Sequence, residues 1–377
     1  MQEEKNKVLT IVSNNLIKTK KEKVLKKIKE FFLSNVFVRP KVIICWMVVA
    51  IGVLTVALLL TGCNAGYQNL FSDVGPAWSP DGSKIAFVKT SYYSQGSNWG
   101  VIWVMDADGT NKVKLTDNTE KLNSPAWSPD GTKIVFGGPV NKGDIWVMNA
   151  DGSNRINLTN SAANDYSPTW SPDGSKIAFN NNYEIWVMNS DGSDQTKIGG
   201  DGSPAWSPDS SKIAFSSMNN RSSYEIWVMN SDGSNKVKFN NNAAYYGAFS
   251  PMWSPDGSKI TFGAAYASNG DIWVMDADGS NQINLTNKSG DYWGNAWSPD
   301  GSKIAFGLRP VNNMNIWVMN TDGSNQINLT NKPGDYWEPS WSPDGSKIAF
   351  VSAGAKEKFD IWVMNTDGSN QINLTGN

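Results

Sequence analysis

Two phrases alternate along this chain, and their alternation constrains the fold more than any other feature. The phrase W-S-P-D-(G/S)-(S/T)-K-I begins at Trp78, Trp127, Trp170, Trp206, Trp253, Trp297 and Trp341. The phrase I-W-V-M-(D/N)-x-D-G carries Trp103, Trp146, Trp186, Trp227, Trp273, Trp317 and Trp362. There are seven of each, at a period of 36 to 49 residues, and the length varies between the phrases rather than within them. A period of that size marks one supersecondary unit that buries its faces on copies of itself.

Each unit predicts four short strands. Strand A ends at the first Trp. Ser-Pro-Asp-Gly then turns the chain: Pro presets φ, and Gly accepts the left-handed position that closes a hairpin. Strand B is "SKIAF". Strand C is "IWVM", rich in β-branched and aromatic residues. A second glycine turn leads to strand D, "NQINLT", which alternates apolar and polar. Nothing in the unit has helical periodicity. The pattern predicts an all-β fold, a seven-bladed β-propeller of four-stranded antiparallel blades over residues 74–377. Each blade is complete in chain order, so how the ring closes stays open. "YQNLF" (67–71) reads either as part of a tether, 63–73, or as a leftover strand D. One turn carries Ser210 where the others have Gly. Ser210→Gly is therefore expected to stabilise the fold slightly by relieving left-handed strain.

"WSPDGSKIAF", "IWVMNTDGSN" and "INLT" resemble the blades of the TolB-type propeller family, whose repeats also form the propeller domains of prolyl oligopeptidase relatives. The resemblance covers about residues 74–377. It implies the fold strongly and the function weakly. It also implies an envelope assembly factor gripping partners in the channel. TolB itself carries an extra α/β domain before its propeller, and Cys63 to Asp73 offers no room for one. The peptidase relatives carry an α/β-hydrolase domain after the propeller, and this sequence contains no G-x-S-x-G.

The N-terminus points outside the cytoplasm. Residues 1–41 are a basic region of about +7, which leaves about −9 on the rest of the chain. An apolar signal or transmembrane segment follows at 42–62, and Leu60-Thr61-Gly62-Cys63 resembles a bacterial lipobox with Cys63 as the lipidated residue. An uncleaved anchor is the other reading, and both export the propeller. The expectation is an exported, membrane-anchored lipoprotein. The acidic remainder argues against nucleic acid. With no His, the commonest general base and transition-metal ligand is missing. No catalytic residue, cofactor or metal ligand set is assigned.

Loop lengths divide the two ends of the ring. The A–B and C–D turns are uniform, whereas the B–C and D–A loops vary, and variable loops on a rigid scaffold carry function. Fourteen of the 18 Trp occupy repeat positions and read as blade packing. The candidate ligand-binding residues stand on the variable side: Trp99, Tyr166, Tyr246, Asp291, Tyr292, Trp293, Asp335, Tyr336 and Trp337. Aromatics beside amide and hydroxyl groups suit a peptide or a sugar. The same aromatics equally suit capping of blade ends. Asp165, Asp291 and Asp335 each precede an aromatic in a D–A loop, and a cation beside them is an alternative to simple loop structure. The "DADGSN"-like strings lack the distant Glu of a calcium loop and read as turns. The function expected is a monomeric, non-enzymatic module binding a protein, peptide or glycan of the cell envelope. The alternatives are a TolB-type assembly factor and a polysaccharide hydrolase or lyase.

Overall fold

The computed structural model describes residues 70–376 except 93–97, 118–121, 139–142, 201, 219–223, 240–246, 267–268, 287–289, 310–312 and 354–357. The basic region, the apolar segment and Cys63 lie outside the described residues. No helix among those described is long and apolar enough to cross a membrane.

Twenty-eight strands follow one another, and each successive four pair as an antiparallel sheet in chain order. One parallel bridge, Tyr224 to Gly247, joins the fourth and fifth sets. Strand A of blade 1 spans Leu70–Trp78, so residues 70–73 extend that strand rather than the tether.

The core lies between blades, because strand B alternates a large and a small apolar side chain. In blade 3, Ile177, Phe179 and Met188 pack on Val135, Ile145 and Val147 of blade 2. Ala178 and Val187, on the opposite face, pack on Trp206, Ile213 and Phe215 of blade 4. The seven strand-B phenylalanines are all fully buried. Each contributes roughly 2–3 kcal/mol of burial.

Two further contacts repeat around the ring. Each strand-A Trp donates its indole N–H to the preceding blade, as Trp127 does to the Ala77 carbonyl at 3.1 Å and Trp341 to the Ala296 carbonyl at 3.0 Å. Each C–D turn glycine sits against the preceding strand D. At Gly152, φ is +86° and a Cβ would stand 3.1 Å from the Leu115 carbonyl oxygen, so only Gly fits. Both contacts span the join between the last and first blades. Trp78 donates to the Ser340 carbonyl at 3.1 Å, and Gly109 abuts Leu374. Among the described residues the ring therefore closes by contacts between two complete blades, with no shared strand.

Two expectations change in detail. Strand D is only two residues long in six blades, as at Ile283–Asn284, where Leu285 and Thr286 turn inward, and three in blade 4 (Val237–Phe239). The Thr hydroxyl accepts the N–H of the strand-C Ile: Thr286 takes Ile272 at 3.1 Å. The B–C loops are shorter than the sequence suggests, since strands B and C run on as hairpins. In blade 1 they pair out to Tyr92 and Asn98, and in blade 3 only Asn182 and Tyr183 remain as a turn.

Candidate functional site in the central channel

Strand A is kinked by the same β-bulge in six of the seven blades, three residues before the repeat Trp. The bulged residue takes a left-handed φ: +66° at Gly75, +50° at Ser124, +52° at Ser167, +51° at Ser250, +58° at Gly294 and +54° at Glu338. A bulge re-aims its side chain. Gly75, Ser124 and Glu338 line the channel. Five of the six residues are Gly or Ser, which suits that φ and a narrow space. Glu338 is neither.

Gly75, Ser124 and Glu338 border a cavity of about 790 Å³ to which all seven blades contribute. Its mouth is framed by the A–B turn prolines Pro172, Pro208, Pro255 and Pro299. Trp206, Trp253, Trp297 and Trp341 wall its sides, so these repeat tryptophans serve the channel as well as blade packing. Among the described residues, Glu338 is the single ionisable group on that wall. Its Oε2 accepts the Gly75 N–H at 3.1 Å across the join of blades 7 and 1. Solvent reaches the side chain, yet the enclosing wall pushes the carboxyl above its usual pKa, and the Gly75 N–H pulls it part of the way back. A neutral, ringed pocket with one carboxylate suits a cationic group carried on an apolar ligand.

The loop residues marked in the sequence are not brought together as one platform. Tyr292 is 3 % exposed and Tyr336 is 8 % exposed. Both are packed between blades against Phe306 and Phe350, at ring distances of 5.9 Å in each case. They fill blade ends and offer no stacking surface, because strand A begins earlier than the phrase suggests and turns them inward. Trp337 meets Phe359 edge-on at 4.9 Å and joins the cluster between blades 7 and 1. Asp335 accepts the Met314 N–H at 2.7 Å and is a loop staple. Tyr166 stands edge-on to Tyr183, which is 74 % exposed. Asp291 and Trp293 pair in strand A of blade 6 through their backbones, with Arg309 and Gly307. Their side chains lie outside the described residues, as do the side chain of Trp99 and all of Tyr246.

Glu338 was overlooked in the sequence. The signal was present: at that position the repeats read Gly, Ser, Ser, Ser, Ser, Gly, Glu. The single exception to a column of small residues marks the charge in the channel. Among the described residues, no group of three or more Asp, Glu, Cys or His converges as a metal cluster.

No curated protein matches the chain. Among solved structures, the propeller domain of the Trilobed protease from Pyrococcus furiosus, described as having an open velcro topology, is similar. It shares 14% identity and a TM-score of 0.63, over 82% of this chain and 97% of that one. A putative TolB from Agrobacterium tumefaciens shares 20% identity over 72% of this chain and 99% of that one, with a TM-score of 0.51. An oligogalacturonate lyase from Vibrio parahaemolyticus shares 15% over 79% and 90%, with a TM-score of 0.61. At these identities the likeness concerns the fold. The TolB beta propeller domain matches residues 73–220 and 216–377, which is most of the sequence, and the chain belongs to that family.

Proposed function

We propose that this protein is a non-enzymatic binding module of the cell envelope, held at the membrane through its N-terminal segment, which grips a protein or peptide ligand in its channel. The observation that carries this reading is the lone Glu338 carboxylate in a cavity otherwise walled by proline, tryptophan and small residues. A lysine or arginine side chain, or a peptide amino terminus, would pair with Glu338 while its apolar neighbours lie on the Trp and Pro walls. An assembly factor of the TolB type would use the same grip. A polysaccharide-hydrolase role is disfavoured, because hydrolysis of a glycosidic bond uses two carboxyl groups about 5–10 Å apart. The channel wall presents one.

The test is to capture a partner from envelope extract with the full chain and measure its affinity for wild type, E338Q and E338K. Binding is expected to weaken about tenfold or more with E338K and less with E338Q, with circular dichroism unchanged. Equal affinity for all three proteins would rule out the channel as the grip.

A further inference from the structure

The D–A loop between blades 2 and 3 buries a carboxylate without completing its bonds. Asp165 opens strand A of blade 3 (Asp165–Trp170) and is 1 % exposed. Its Oδ2 accepts the Ser161 hydroxyl at 3.0 Å. Its Oδ1 is buried with no donor in hydrogen-bonding geometry, with the Thr159 hydroxyl and the Asn181 side chain standing near the carboxyl. Asp144, just before strand C of blade 2, is near enough to act on it as a like charge. No cation counters either group among the described residues.

An unpaired buried anion costs several kcal/mol, and a second carboxylate beside it raises that cost. Elsewhere the same architecture avoids this arrangement. The position matching Asp165 is Tyr292 in blade 6 and Tyr336 in blade 7, neither of them an acid, and ahead of blade 7 the position equivalent to Asp144 is the neutral Asn315. Only between blades 2 and 3 do the described side chains place two acids together with an oxygen left over.

We propose that Asp165 and Asp144 hold a hard divalent cation of the calcium class between blades 2 and 3. The donors are all oxygens. Asp165 Oδ1 has no donor in hydrogen-bonding geometry, and Asp144 Oδ2, which accepts the Asn157 amide, keeps a lone pair, while Asp144 Oδ1 is taken up by the Thr159 hydroxyl and the Ser161 N–H. The Gly143 carbonyl, next to Asp144 in the chain, accepts the Asp165 N–H at 2.7 Å and so lies beside the pair. Two carboxylates, a carbonyl, the Ser161 hydroxyl and water make a donor set of calcium type, and nothing in it supplies the nitrogen or sulfur that zinc selects. The surrounding loop is already fixed without metal. Ala163 N–H donates to Ser161 Oγ, Asn164 N–H to the Asn182 side-chain oxygen, and Gly143 N–H to the Asn164 side-chain oxygen. The ion would therefore bind a formed site and lock blade 2 to blade 3.

The test uses the full chain freed of metal with a chelator, titrated with calcium chloride and separately with magnesium chloride. Calorimetry should give one calcium site with a dissociation constant of about 10⁻³ M or tighter, and weaker magnesium binding. The melting temperature should rise with calcium concentration. D165N and D144N should each lose the heat and the thermal shift, while D151N, in a C–D turn on the opposite side, keeps both. If one variant does not fold, the other decides. Absence of heat and shift in wild type, or a full response in both D165N and D144N, would overturn the assignment.

Discussion

Ser210 shows how one side chain can reverse a prediction made from backbone preference. Its φ is +61°, as the turn demands, and relief of that strain by Gly is worth about 1 kcal/mol. The structure adds a counterweight. The Ser210 hydroxyl accepts the Asp173 N–H of the preceding blade at 3.0 Å. Such a bond contributes about 0.5–1.5 kcal/mol, and a new glycine enlarges the unfolded ensemble by about 0.4–1 kcal/mol more. Ser210→Gly is therefore expected to lower stability by up to about 1 kcal/mol rather than raise it. Ser210→Ala keeps the strain, loses the bond and should fall by a similar amount. Denaturant titration of the two variants measures both, and a raised midpoint for S210G would mean that the inter-blade bond contributes nothing.

At the scale of the element, the repeated unit is a strand hairpin fastened to its predecessor by one indole. Trp78 and Trp127 make the same bond to a neighbouring carbonyl, at 3.1 Å each. They differ in what else joins the two blades. Blades 1 and 2 are also linked along the chain, whereas, among the described residues, blades 7 and 1 meet only through side-chain packing and the hydrogen bonds of Trp78 and Gly75. Trp→Phe at either position removes one hydrogen bond and leaves a carbonyl short of a donor, at a cost of about 1–2 kcal/mol. W78F is expected to speed amide exchange in blades 1 and 7 selectively, because local opening follows the weakest interface. W127F should lower global stability without that local signature. Hydrogen exchange read by mass spectrometry distinguishes them, and identical exchange maps would show that the join is no weaker than the other interfaces.

On the scale of the whole molecule, the uniform end of the ring is a charged, hydrogen-bonded surface. In the A–B turns each Asp is bonded by Ser or Thr hydroxyls and a backbone N–H, as Asp81 is by Ser79 and Ser83. Those bonds hold the carboxyls of Asp81, Asp256 and Asp344 down to about 2, and the other turn aspartates shift in the same direction. A carboxyl whose pKa is lower in the folded than in the unfolded chain stabilises the fold above the unfolded value near 3.8. That contribution is lost as pH falls through the folded value. Glu338 runs the opposite way, since its raised pKa favours the protonated, folded form at lower pH. The seven turns outnumber it. The melting temperature should therefore hold down to about pH 4 and fall steeply toward pH 2. A flat profile over that interval would show that the turn bonds do not stabilise the native state.

The sequence by itself determined the blade. Its fixed Trp, Pro, Asp and Gly positions dictate turn types, its alternation dictates strands, and neither depends on distant partners. The family and the all-β class followed from that local chemistry. The site was legible only in part. Aromatics in the loops looked available because exposure is not written in residue type. Tyr292 and Tyr336 turn inward because strand A starts at or before them and seats them between blades. Glu338 was readable as an exception in a column of Gly and Ser, but its meaning needed the bulge and the ring that gather that column around one channel. The orphan oxygen of Asp165 lay further out of reach, since it depends on where Asp144 of the previous blade ends up. Contacts within a blade are short in sequence and set by propensity. The channel, the closure and the acidic pair join residues tens to hundreds of positions apart, so only the tertiary structure decided them.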